Sequence, residues 1–337
     1  MSLDGKRILF FSPKFLRYDE VIKDELERRG AKVSAYDERP SSKSIVKALI
    51  RVNPRLLESF SRKYFSDILT KERNGNFDYI FIIKGEAVSP EIIMLMKEYF
   101  KKAKLVFYSW DSLKNVKHTD TKIHLFDQAF SFDRDDCDQY QNVNYLPLFF
   151  STSYNLLLDS RHPKDIDLIF IGSLHSDRYN VLKRILSSVA LIKPDFSAFS
   201  FLFYPSKLFF LFRKLFDRNF LNVPCSLVKW IPLSQEDVAL KIQDASIVID
   251  INHPNQSGLT MRTIESLALK RKLITTNASI RHECFYNETN ILIIDRNKPV
   301  ITEDFIFSPY EEIDKSIISG YSIEAWISNI FEGKSVS

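Results

Sequence analysis

The chain has 337 residues, 45% of them hydrophobic and 27% charged, a globular composition with length for one large or two ordinary domains. Forty-seven Lys and Arg against 43 Asp and Glu leave a net charge of +4, with no long block of one sign, so a nucleic-acid partner is not expected. Only eight glycines are present, and neither GxGxxG nor GxxxxGKS/T occurs, which excludes dehydrogenases with that fingerprint and P-loop enzymes. Cys137, Cys225 and Cys284 are odd in number and far apart, so neither a disulfide framework nor a CxxC metal pair can be built from neighbours. The first apolar run is too short for a secretory signal. A cytoplasmic location is the expectation.

In chain order, apolar runs bounded by polar or turn residues predict six strands in the first half, at 6–12, 32–37, 79–85, 104–110, 128–133 and 143–149. Their near-continuous apolar character is that of strands buried on both faces of a parallel sheet. Between the first two, 18–30 reads as a helix: Val21, Ile22 and Leu26 share a face, Asp19 and Glu20 come early, Arg28 and Arg29 late, and Gly30 stops it. The stretch 89–104 repeats the pattern with Ser89 as cap and Pro90 in the first turn. This alternation predicts a doubly wound α/β domain. The second half restarts it, with strands at 165–173, 226–232, 245–252, 272–277 and 290–295 and a helix over 234–245. Two tandem domains follow, 1–155 and 156–320, with the boundary in the charged segment 151–165. In 321–337, Ile323, Trp326, Ile327, Ile330 and Phe331 stand at helical spacing, so a last helix is expected to pack back on the first domain.

The segment 196–216, FSAFSFLFYPSKLFFLFRKLF, is rich in phenylalanine but interrupted by Pro205, Lys207, Arg213 and Lys214. It cannot supply the roughly 20 apolar residues of a spanning helix. Two readings stand: a core helix pair between the sheets, or a peripheral contact with the inner face of the plasma membrane, where rings sit at headgroup level and cations meet anionic lipids.

The segment 251–277 carries the strongest chemical signal, a buried strand leading through a polar loop into a helix and a further strand. The amides of Gly258, Leu259 and Thr260 lie where a helix N-terminus could hold a pyrophosphate, with Arg262 adding fixed charge. Glu265, one turn on, could accept from a ribose diol. The alternative is an ordinary surface pair between Arg262 and Glu265. The block SGLTMRTIESLALKRKLITTN resembles the donor-binding element of GT-B glycosyltransferases, especially the bacterial capsule, exopolysaccharide and lipopolysaccharide enzymes related to spore-maturation glycosyltransferases. FIIKGEAVSPEII, LVFYSWDSLKN, AFSFDRDDCDQY, YLPLFF and DLIFIGSLHSDR resemble the same group in the same order. The likeness implies the GT-B fold, two Rossmann-like domains facing a central cleft, with the nucleotide-sugar on the second and the acceptor entering from the first. By it, Arg262 takes the diphosphate and Glu265 the ribose. Gly172, Ser173 and Arg178 line the phosphate side, and His253 approaches the sugar or phosphate. No cofactor and no bound metal are expected, because a helix dipole and cations can stabilise a leaving diphosphate.

An inverting transfer needs a base for the acceptor hydroxyl, and Glu86 and Asp111 each follow a predicted strand at the edge where loops build sites. Asp111 is slightly preferred. Both could equally be turn or cap acids. Lys84, before Gly85, could hold an acceptor anion or pair with Glu86. The run DRDD at 133–136 resembles a DxD metal motif but fits better as acids capping a helix after the fifth strand. The expected function is transfer of a sugar from a nucleotide-sugar, a UDP-sugar by expectation, to a surface-polysaccharide or lipid-linked glycan. The alternatives are a two-domain nucleotide-sugar epimerase and a noncatalytic glycan- or nucleotide-binding partner in polysaccharide assembly.

Overall fold

The computed structural model describes residues 3–41, 58–116, 119–155, 157 and 164–332. The expected boundary segment 151–165 and the tail after 332 lie in part outside the described residues. The chain forms two compact units, Met1–Pro147 with Ile323–Ser337, and Leu148–Ser322.

The first unit is built on a six-stranded sheet in the order β2-β1-β3-β4-β5-β6. Its strands are β1 Arg7–Ser12, β2 Lys32–Asp37, β3 Tyr79–Ile83, β4 Lys104–Ser109, β5 Gln128–Ser131 and β6 Val143–Tyr145. Every pairing is parallel, so both faces need helical cover, and the central strands are apolar without alternation. Helix α1 (Tyr18–Arg28) follows β1, and Gly30 just beyond it adopts φ +92°, where a Cβ would sit 2.8 Å from the Asp4 backbone. No other residue fits that turn without strain. On one face, Phe65 and Leu69 of α2 (Glu58–Lys71) and Ile92 and Met96 of α3 (Pro90–Tyr99) pack against Leu9, Phe11, Ile80 and Ile82. Ser89 caps α3 and Pro90 opens it.

The opposite face is covered by the C-terminal helix Ile323–Glu332. Trp326 lies edge-on to Tyr108 at 4.8 Å, and Phe331 meets Tyr79 at 4.9 Å and Phe81 at 5.7 Å. Arg29 donates to Ser328 at 2.9 Å. The five apolar residues that helical spacing groups together are all buried here.

The second unit has a six-stranded parallel sheet in the order β12-β11-β10-β7-β8-β9. Its strands are β7 Ile166–Ser173, β8 Ala198–Phe203, β9 Val228–Lys229, β10 Ala245–Asp250, β11 Lys272–Thr275 and β12 Ile291–Ile293. Counted from its own first strand this is the order 3-2-1-4-5-6 of dinucleotide-binding domains. The chain steps outward from β7 to β9, then restarts at β10 on the other side of β7. Loops leaving β7 and β10 therefore diverge and open a crevice at the carboxyl edge.

The expectation of a core helix pair at 196–216 is corrected. Pro205 and Ser206 divide the segment: its first part is β8, and Ser206 accepts from the Phe209 amide at 3.4 Å to begin α5 (Lys207–Phe216), which follows α4 (Arg178–Ile192) in the chain. The aromatic density hides the strand in the sequence, because phenylalanine suits a strand and a buried helix alike. The strand expected over 226–232 shortens to the two residues of β9. No helix among the described residues is long and apolar enough to cross a membrane.

Candidate functional site

The crevice of the second unit collects cations at its switch point. Gly172 and Ser173 end β7, and the chain turns through His175 into α4. Arg178, the first residue of α4, folds back: its Nη1 donates to the Ser173 carbonyl at 2.7 Å and its Nε to the Ile251 carbonyl at 2.8 Å. It thereby ties the loop after β7 to the loop after β10. Burial pulls its pKa down to about 10, so it stays charged at neutral pH. Arg296, just past β12, donates to Asn252 Oδ1 at 3.1 Å and Thr276 Oγ1 at 3.0 Å. The same guanidinium grips both oxygens of Asp177 and holds that carboxyl below its usual range. A bidentate pair of this kind fixes the plane of the arginine. His175 and His253, one from each loop, have ring centroids 5.3 Å apart. Burial, with Arg178 and His253 next, pushes His175 down to about 3, so its imidazole is neutral and can accept as well as donate.

Beyond β10 and α6 (Gln235–Gln243), the loop 251–260 leads into α7 (Met261–Ala268). Gly258 and Leu259 are buried, and the Gly258 carbonyl accepts from Asn277 at 3.1 Å. Thr260 is the N-cap, its hydroxyl accepting from the amides of Arg262 at 3.1 Å and Thr263 at 3.4 Å. Arg262 and Glu265 form an ion pair with each other. It is not the surface pair their spacing suggests: Glu265 is buried, and burial raises its pKa while Arg262 opposes the rise. Asp250, buried at the end of β10, accepts from Thr263 Oγ1 at 2.8 Å and feels both Arg178 and Arg262. Gly172, Ser173, Arg178 and His253 are thus brought together, with Asp250 linking them to Arg262. Arg296, His175, Asn252 and Thr276 join the site without having been singled out from the sequence. Arg296 had a readable signal, being a cation just after a predicted strand, on the edge where loops build sites.

The first unit has its own charged cluster at the carboxyl edge of its sheet, from the segments that follow β2, β3 and β4. Lys84, at the end of β3 with φ +69°, places its Nζ 3.0 Å from Glu86 and 3.3 Å from Asp111. One ammonium therefore bridges the two candidate bases. Asp111 also accepts from Asn115 at 3.1 Å and is the more exposed of the pair. Gly85 has φ +62°, and Lys122, fully buried, pins the turn by donating to the Gly85 carbonyl at 2.6 Å and the Val88 carbonyl at 3.2 Å. Burial pulls Lys122 down to about 8, against the attraction of Glu38 and Glu86. Glu38, buried just past β2, accepts from the Ala87 amide at 3.2 Å, and burial, with Glu86 next, pushes it up to about 7. Sequence reading missed Glu38 and Lys122, since neither belongs to a motif. In the DRDD run, Asp133 caps the helix Arg134–Gln139 and Asp136 accepts from the Leu113 amide at 2.9 Å. These acids hold backbone.

The chain has the GT-B fold of two Rossmann-like domains. Among solved structures it is similar to an alpha-glucosyltransferase in complex with UDP and a 13-mer DNA, at 12% identity over 98% of this chain and 96% of that one, with a TM-score of 0.54. It is similar to HepE of Anabaena in complex with UDP and glucose, at 11% identity over 98% of this chain and 99% of that one, TM-score 0.54. A putative UDP-N-acetylglucosamine 2-epimerase of Listeria monocytogenes is also similar, at 10% identity over 98% of each chain, TM-score 0.51. No family model and no curated protein sequence matches the chain significantly.

Proposed function

We propose that this protein is a glycosyltransferase that binds a UDP-sugar in the second unit and transfers the sugar to a hydroxyl of a surface-polysaccharide or lipid-linked glycan. The observation that carries the reading is the set of arginines, Arg178, Arg262 and Arg296, beside a neutral His175 at the switch point of a 3-2-1-4-5-6 sheet. Such a crevice suits a nucleotide, and fixed guanidinium groups suit its diphosphate. Structures of this fold solved with UDP or UDP-glucose support the choice of nucleotide.

In this reading the arginines and the first turn of α7 stabilise the departing diphosphate, so no metal ion or other cofactor is required. Gly172, Ser173 and the loop amides at 258–260 line the phosphate side, and His253 approaches the sugar. Glu265 takes the ribose hydroxyls, which requires its carboxylate to share Arg262 with the ligand. Asp111 deprotonates the acceptor, while Glu86 holds Lys84, and Lys84 and Gly85 meet the acceptor.

Calorimetry with UDP, GDP, CMP and ADP and their sugar conjugates tests the donor side. Selective binding of a uridine ligand that survives excess EDTA, followed by acceptor-dependent sugar transfer, is the expected result. Silence across the panel from folded protein would overturn the reading, and an isomerised nucleotide-sugar made without acceptor would replace it with an epimerase.

A further inference from the structure

We infer that α5 (Lys207–Phe216) is a docking surface for an anionic lipid bilayer, on the second unit and independent of the catalytic reading. Leu208, Phe209, Leu211, Phe212, Leu215 and Phe216 are between 43% and 78% exposed. Phe210 is the buried residue of the helix, held against Tyr204, Phe220 and Trp230. At 3.6 residues per turn the six exposed side chains span an arc of about 160°, centred opposite Phe210. Arg213 borders that arc on one side, and Lys207 and Lys214 on the other. A folded surface seldom leaves such a contiguous apolar face without a use for it.

Charge identifies the occupant. From 196 to 231 the chain carries Lys207, Arg213, Lys214, Arg218 and Lys229 against Asp217 alone. That excess of four equals the +4 of the whole chain, so the remaining residues balance to zero. Part of the charge is anchored locally: Arg213 pairs with Asp217 at 2.9 Å and Lys214 donates to the Val223 carbonyl at 2.6 Å. These bonds hold both cations at the border of the apolar arc. Ten residues of helix measure about 15 Å, half a bilayer core, so the helix lies in the interface with its rings among the acyl-chain ends. Leu221, Leu227 and Ile231, also exposed, follow in the same cationic stretch. A second copy of the chain is a poorer occupant, because two such faces would bring like charges together.

The test is co-sedimentation of the full chain with vesicles of phosphatidylcholine alone and of phosphatidylcholine mixed with phosphatidylglycerol. Binding is expected to the mixed vesicles, falling as salt screens the cations, with little to the neutral ones. Combined Phe209→Ser, Phe212→Ser and Phe216→Ser should weaken it by more than about tenfold with the thermal melt retained. Lys207→Ser with Arg218→Ser should reduce the preference for anionic vesicles. Absence of binding by the folded chain, or binding untouched by the phenylalanine changes, overturns the proposal. So does a dimer in sedimentation velocity that the same changes dissolve, since the face would then be covered by a second copy.

Discussion

Arg262 and Glu265 are already paired on α7, so any ligand that uses them must join an existing interaction. Replacing Arg262 by Ala should weaken UDP binding by about 1.5–3 kcal/mol, the size of a charge-assisted hydrogen bond, as read by calorimetry. It should also lower the melting temperature, because buried Glu265 loses its counter-ion. Arg296→Lys is a cleaner probe: it keeps the charge but not the bidentate grip on Asp177, and a clear loss of UDP affinity would show that geometry matters beyond charge. Glu38 supplies a pH signature. Its carboxyl is raised from 4.5 to about 7 in the fold, so the folded chain holds a proton that the unfolded chain releases. The stabilisation is complete below about pH 4.5 and is lost as pH rises through about 7. Melting temperatures should therefore fall between about pH 5 and 8, and Glu38→Gln should remove that component. Lys122, lowered from 10.5 to about 8, has the opposite sign and acts at higher pH, where deprotonation relieves the cost of burying it. Arg178, His253 and Arg262 are readable in the sequence because they follow a strand signal, sit in the polar loop before a helix, or stand in that helix's first turn. Glu38 and Lys122 are not, since what makes them unusual is burial.

Among the elements, α7 shows how local chemistry sets up the crevice. Thr260 satisfies two amides at its start, and Thr260→Ala should cost about 1 kcal/mol in chemical denaturation. Most strands are legible, because a parallel sheet covered on both faces demands unbroken apolar runs. β8 is the exception, and its reason is specific: Phe199, Phe201 and Phe203 run into Phe209 and Phe210 with only Pro205 and Ser206 as punctuation. Strand order is beyond sequence reading. The 2-1-3 start of one sheet and the 3-2-1-4 core of the other arise from which connections reach back across the sheet, and that depends on helix packing rather than on any residue pattern.

At the level of the molecule, the first unit is assembled from both ends of the chain. Trp326 fills the space against Tyr108 and Phe81 and is almost fully buried. Trp326→Ala should destabilise this unit by about 3–5 kcal/mol, visible as a lowered melting transition. That discontinuous core bears on how the chain emerges during synthesis. Translation proceeds at about 5–20 residues per second, so the stretch from Leu148 to Ser322 takes seconds to be made after β6 has left the ribosome. Throughout that interval Tyr79, Phe81 and Tyr108 lack the helix that covers them, while the second unit can complete its own sheet. The sheet of the first unit is thus made before the second unit and covered only after it, and a ribosome stalled before Ile323 would leave an aromatic sheet face open to chaperones or to aggregation.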